Sequence, residues 1–487
     1  MKTLTLILTG TLMLATTSYS KTLVDTAASN LPSPQLQARG HYVVAISESA
    51  QKRPGWFQAA RILKHKYNGE ILTYRDRHLL SLLPELKKRM PHYVCFVAPP
   101  DQIGRTLIVL AHRMMRQLDA DPYTDAFWGV LTGYTAEDAQ RIARLEKPLV
   151  ISRAASSMGP GLLGGLQSGF ASDEANRRNF WSKRKGMQRA EKESLPEWGI
   201  AERLARAFNT QPVDLFITSG HASERDWQII YNVNAGGFRH DRGRLYAFSP
   251  ASDKRYYFTS PSTKVYIPAG NCLIGHIDGQ DCMATSWMHS GGVSQMVGYT
   301  VVTFYGFMGW GTKAYFDDAG HTLSEAFFSA EQALLLRIGT NYPKMMGLEP
   351  TTYGINTLAG EIKRKTGSFN NDMLGLLWDR DTVAFYGDPA WQARYDFSRR
   401  AVDYRLDQEG KRWTLTGTFR RDVSFLPVKH RDTRPLLYPF PVRIPNPQLV
   451  AGSTIPKGSV VTDIFAMIPF EGKKRKGESF TLTFTSF

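Results

Sequence analysis

Cysteine is scarce in this chain of 487 residues, which has three: Cys95, Cys272 and Cys282. A disulfide scaffold in a secreted protein needs more, in even number, so that class is excluded and at least one thiol stays unpaired. Long apolar runs are missing too. The N-terminal MKTLTLILTGTLMLATTSYS has one lysine ahead of an apolar stretch too short to span a bilayer, and no later stretch is long enough. Residues 1–20 read as a secretory signal peptide cut after Ser20, with no cysteine there to take a lipid. The expectation is a secreted, periplasmic or cell-surface protein without a transmembrane segment. Acidic residues are in deficit, 44 against 60 basic ones, for a formal net charge of +16. That surplus suits an anionic cell-envelope surface. No nucleic-acid recognition motif accompanies it, so specific nucleic-acid binding is not expected. Internal repeats and low-complexity tracts are absent.

What is present is alternation. HYVVAIS (41–47), EILTY (70–74), HYVCFVAP (92–99) and FWGVLTG (127–133) read as strands. Between them lie helical patterns at 56–68, 78–90, 103–119 and 135–146, the last opened by Thr135 with Asp138 three residues on. Strand-helix alternation predicts a parallel sheet covered by helices, the α/β class. The Gly-rich 159–170 has no Gly-Lys-Ser/Thr and reads as a connection, and 179–194 as an exposed linker or lid. Alternation resumes with a helix at 198–209 and strands at VDLFITSGH, KVYIPAGNC, YTVVTFYGF (299–307) and TVAFYGDP (382–389), with long helices at 322–339 and 355–367. After about residue 395 the texture changes to short alternating strands with Pro/Gly turns, a small all-β sandwich. The expected layout is two α/β subdomains, 40–150 and 151–395, followed by a β-module over 396–487.

Two strand ends carry chemistry. One ends in His221 and the next in Cys272. Sites in open α/β sheets form outside the carboxyl ends of the strands, so neighbouring strands would bring these side chains together. An imidazole can hold a thiolate and then protonate a leaving amine. The amides of Ala222 and Cys272, freed by the turns, could form an oxyanion hole. Rivals remain in view. Cys282 opens a helical pattern, which favours burial or pairing, and a Cys272–Cys282 disulfide would silence the site. His276 is tied to the cysteine's own turn, and Cys95 sits mid-strand. A zinc site from these residues lacks ligand pairs at the usual spacing.

These segments resemble the gingipain-type cysteine peptidases of the caspase-like clan. SGHASERDW (219–227) is similar to the family's histidine stretch, and GNCLIGHIDGQDCMATSWM (270–288) to its cysteine segment. GGVSQMVGYTVVTFYG (291–306), FWGVLTGYTAEDAQRIA (127–143) and AFYGDPAWQARY (384–395) resemble flanking motifs in the right order. The resemblance implies a caspase-like catalytic region followed by an immunoglobulin-like sandwich. It implies an endopeptidase acting on protein or peptide substrates, with Cys272 as nucleophile, His221 as general base and acid, and Glu224 beside the histidine. Pocket walls are expected at Trp227, Trp287, Met288 and Tyr305, in loops that run on to Trp310. Arg- or Lys-specific relatives need an acidic pocket floor, for which Asp278, Asp281 and Asp317 are available. No cofactor is implied for catalysis, and structural calcium is implied by analogy. The chain departs from the family at Ala222, where a glycine is expected, and at Leu131-Thr132-Gly133. These departures fit a diverged member, and the alternative is an inactive binding or adhesion protein of the cell envelope.

Overall fold

The computed structural model describes residues 21–23, 41–231, 236–260, 262–318, 320–350, 353–450 and 453–487, so the segment 1–20 expected to be a signal peptide lies outside the described residues. Twelve strands form one sheet. From edge to edge the order is Glu191–Ser194, Asn176–Lys183, Ser168–Asp173, Arg153–Ser156, Leu215–Thr218, Lys264–Pro268, Val293–Tyr299, Val383–Tyr386, Phe127–Leu131, Tyr93–Val97, Tyr42–Ser47 and Glu70–Tyr74. The central strands are continuous apolar runs because helices cover both faces. Tyr42–Ser47, Phe127–Leu131, Leu215–Thr218 and Lys264–Pro268 are buried along their whole length. The expected capping box forms, with Asp138 accepting from the Thr135 amide at 3.0 Å ahead of helix Ala136–Ala143. The fold class is α/β, as the alternation predicts.

The sheet has two halves that run in opposite directions, because Val293–Tyr299 pairs antiparallel with Val383–Tyr386 while the strands on either side pair parallel. The Gly-Asp-Pro segment after the last strand secures this junction. Asp388 is fully buried and accepts from Tyr42 Oη at 2.9 Å, Tyr67 Oη at 2.7 Å and Lys66 Nζ at 2.9 Å. A buried carboxylate is tolerated only with such partners.

Four features depart from the sequence expectation. Residues 159–170 and 179–194 are neither a free connection nor a lid, since Ser168–Asp173, Asn176–Lys183 and Glu191–Ser194 extend the sheet. Charge hid their alternation: Phe180 points inward beneath Arg203, and Lys183 is buried with its ammonium on the Leu163 carbonyl at 3.1 Å. The strand expected at 299–307 lies earlier, at Val293–Tyr299. Ser294 and Gln295 made it look polar, yet both are buried, and Gln295 Nε2 donates to the carbonyls of Asp388 and Trp391 at 2.8 and 2.9 Å. Residues 300–306 are thereby released as a loop. A four-stranded antiparallel sheet over Asp226–Gln228, Gly237–Asp241, Arg244–Phe248 and Arg255–Tyr257 was not foreseen. Last, the β-module is a two-layer sandwich that shares the main core. Strands Val402–Glu409, Arg412–Phe419 and Ser479–Thr485 face Leu436–Pro439 and Phe465–Ile468 across Leu406, Leu415, Ala466 and Leu482. Leu437, Phe465 and Met467 pack into the same cluster as Phe327 and Phe328 of helix Leu323–Asn341.

Candidate active site

Strands Leu215–Thr218 and Lys264–Pro268 pair in parallel, with Thr218 opposite Pro268 on the last rung. His221 follows that rung by three residues and Cys272 by four. The two turns are fastened together. The Ala269 amide donates to the Thr218 carbonyl at 2.9 Å. Asn271, fully buried, donates from Nδ2 to the Gly220 carbonyl at 3.0 Å and accepts from Thr218 Oγ1 at 2.7 Å. Sequence reasoning missed Asn271. Its only signal was an amide side chain directly after a buried strand, where burial without partners is costly.

On the histidine side, Gly220 adopts φ 99°, a left-handed backbone that favours glycine, and this aims His221 away from the strand. The imidazole is exposed, and its recorded contact is edge-on to Tyr231 at 5.7 Å between ring centroids. The turn closes through Gln228 N to the His221 carbonyl at 2.9 Å and Trp227 Nε1 to the Ser219 carbonyl at 3.0 Å. Glu224 is half-buried, and its carbonyl accepts from the Met283 amide at 2.8 Å, fastening this turn to helix Met283–His289. Glu174, a second residue missed from sequence, lies beneath. Its Oε2 is 3.9 Å from where a Cβ would sit on Gly220, and its carbonyl accepts from the Tyr231 amide at 3.1 Å. Burial pushes the Glu174 carboxyl up against the pull of Ser219 and Tyr231.

On the cysteine side, Cys272 is half-buried and its sulfur meets loop 300–306. The Thr303 amide donates to Sγ at 3.3 Å, and Sγ lies 3.7 Å from the Thr303 carbonyl. Thr303 Oγ1 donates to the Asn271 carbonyl at 3.3 Å, and Leu273 N to the Val301 carbonyl at 3.0 Å. Among the described residues, no hydrogen bond joins Sγ to His221, and the amides of Ala222 and Cys272 donate to no protein acceptor. All three cysteines are free. Cys95 and Cys282 are buried, and burial pushes both thiols up. Cys272 alone reaches the surface. His276 is half-buried, pushed down by burial and then by Arg105.

The expected pocket walls lie elsewhere. Trp227, Trp287 and Met288 are in the core with Phe216, Phe238 and Phe258, out of reach of a substrate side chain. Tyr305 is half-buried and donates to Asp372. The apolar groups that do reach solvent along these turns are Tyr231, Val302, Phe304 and Trp310, exposed by 40 to 52 %. Asp278, Asp281 and Asp317 are engaged by Arg225, Tyr134 and Lys313. Among the described residues, one group fits a hard cation: Asp119, Asp121 and Asp125 each offer an oxygen within 4.8 Å of the others. Burial lifts Asp121 to about 6 and Asp125 to about 9.

No family model matches the sequence, and no curated protein matches it. Two solved structures align with it. The crystal structure of the Arg specific cysteine proteinase gingipain R is 12% identical, with 92% of this chain and 96% of that chain covered and a TM-score of 0.38. The structure of a protease is 10% identical, with 92% of this chain and 95% of that chain covered and a TM-score of 0.36. Likeness at this level assigns no residue a role.

Proposed function

We propose that the chain is an exported cysteine endopeptidase working through Cys272 and His221. The observation that carries this reading is the stitched pair of turns: Asn271 fixes two strand ends side by side, one bearing the only surface thiol and the other an exposed imidazole. Peptide lies along this edge of the sheet, against Tyr231, Val302, Phe304 and Trp310. His221 draws the proton from Cys272, whose sulfur leaves Thr303 and forms a C–S bond with the scissile carbonyl carbon. The amides of Ala222 and Cys272 receive the oxyanion. As the C–N bond breaks, His221 delivers its proton to the leaving amine. Water then attacks the thioester, His221 takes a proton from it, and the sulfur leaves. Glu174, reaching His221 through Tyr231, orients the ring, with Glu224 as the alternative acid. No cofactor enters these steps. A structural calcium would find carboxylates at Asp119, Asp121 and Asp125. The basic surface attaches the exported chain to an anionic envelope, and N-terminal sequencing of the mature protein should begin at Lys21.

One observation favours the second reading, an inactive envelope-binding protein: the thiol's hydrogen bonds go to Thr303 rather than to His221. A single experiment separates the two. Purified protein is treated with iodoacetamide or a peptidyl chloromethyl ketone, the adduct is mapped, and Cys272→Ala is assayed on a mixed peptide library. Selective labelling at Cys272, with cleavage lost in the variant, supports the peptidase. An unreactive Cys272 with unchanged cleavage in the variant excludes it.

A further inference from the structure

The loop that holds the sulfur is held at its start by Arg105, which donates to the Thr300 carbonyl at 3.0 and 2.7 Å, and along the rest of its length by one helix. Helix Asn371–Arg380 touches loop 300–306 and its flanks at four points. Trp378 Nε1 donates to the Val302 carbonyl at 2.9 Å, one residue before Thr303. Tyr305 Oη donates to Asp372, and its ring lies so close to Gly375 that an added Cβ would collide with it. Asp379, fully buried, accepts from Tyr299 Oη and from the Met308 amide, both at 3.0 Å, so it grips the strand before the loop and the helix after it.

Asp372 is more than an acceptor for Tyr305. It also accepts from Tyr342 Oη at 2.9 Å and pairs with Arg337 at 2.5 Å, and Arg337 donates to the Arg431 carbonyl in the β-module. Burial works against the charge on Asp372, but the two tyrosines and Arg337 outweigh it and hold the carboxyl below its usual range. A charged acceptor makes a stronger hydrogen bond than a neutral one, so Tyr305 is held firmly.

We propose that Tyr305, Asp372, Gly375 and Trp378 are positioning residues for Cys272: they fix loop 300–306 so that the Thr303 amide points at the sulfur. None of them touches the reacting atoms, and loosening any of them withdraws the amide from Sγ. The proposal rests on the reading of Cys272 as the nucleophile, but it concerns the state of the thiol and can be tested without a substrate.

The test compares iodoacetamide labelling of Cys272 over a pH series in wild type, Tyr305→Phe and Gly375→Ala, with Tyr342→Phe as control. Tyr342 shares Asp372 but lies off the loop. Thermal melting and hydrogen exchange over residues 299–308 are read on the same samples. Tyr305→Phe and Gly375→Ala should label Cys272 about three- to tenfold more slowly near neutral pH, as expected for one weakened hydrogen bond. Their labelling profiles should move to higher pH and the Thr303 segment should exchange faster; melting should change little in Tyr305→Phe and fall in Gly375→Ala, whose added Cβ meets the Tyr305 ring. Tyr342→Phe should behave as wild type. Wild-type labelling and exchange in folded Tyr305→Phe would overturn the proposal, and that variant decides alone should Gly375→Ala fail to fold. Selective labelling of wild type without peptide cleavage would instead sink the peptidase reading and leave this one standing.

Discussion

The two turns that meet at the sheet edge are built differently. The cysteine turn is bound on every side: Asn271 is buried between the strands, Thr303 holds the sulfur, and Asp379 and Trp378 hold the loop behind it. The histidine turn is tied through its backbone and through Trp227 and Arg225, but the His221 ring itself stands in solvent beside a tyrosine that is 52 % exposed. The thiol is therefore held in place, whereas the imidazole has room to swing. In the proposed peptidase, a proton carrier that must face first a thiol, then an amine, then water gains from that freedom.

The largest expected effect breaks the pair outright. Cys272→Ala should abolish cleavage, and His221→Ala should lower kcat/KM by about 10²–10⁴-fold while thiol labelling persists at a reduced rate. Asn271→Ala attacks the stitch between the turns. It strands the Gly220 carbonyl and leaves the Thr218 hydroxyl with Tyr266 Oη alone, and denaturant unfolding should register a loss of about 1–3 kcal/mol together with lower cleavage. Asp379 sharpens the cysteine side through pH. Burial lifts its carboxyl from 3.8 to about 7, so its contribution is fully present below pH 4 and lost as pH rises through 7. Wild type should therefore lose up to about 4 kcal/mol relative to Asp379→Asn across that window, at ~1.4 kcal/mol per unit, read from unfolding at pH 4 and 7.5. Tyr231→Ala tests the looser side: stability should stay within about 0.5 kcal/mol while kcat/KM falls a few fold. Ala222→Gly should do least. The alanine amide already donates to no protein acceptor, so activity within about threefold of wild type is expected, and a large gain would mean that the methyl obstructs the oxyanion seat.

Much of this was legible in the sequence because sheets and helices write themselves in periodicity. The buried strands appear as apolar runs, and Thr135 with Asp138 announces a helix start. His221 and Cys272 were legible as polar side chains at the ends of such runs. The residues that join them were not. Asn271, Thr303 and Glu174 act across 31 to 57 positions of chain, and no local pattern encodes a partner that far away. Val293–Tyr299 was misplaced for a related reason, since Gln295 looks like surface until the carbonyls of Asp388 and Trp391 are seen to receive it. Trp227, Trp287 and Met288 sit next to the motifs in sequence, but their size and apolarity draw them into the core.

The place of Val383–Tyr386 in the sheet has a consequence for how the chain is made. This strand lies between Phe127–Leu131 and Val293–Tyr299, so it is synthesised last of the twelve and closes the sheet in the middle. Until residue 386 has emerged, the nascent chain carries two half-sheets, each with a hydrophobic edge strand awaiting a partner. The site at Cys272 cannot settle before that moment, because Asp379 and Trp378 immediately precede the same strand. Assembly of the thiol's surroundings is thereby timed to the completion of the α/β body, and a chain interrupted earlier carries the cysteine without the means to hold it.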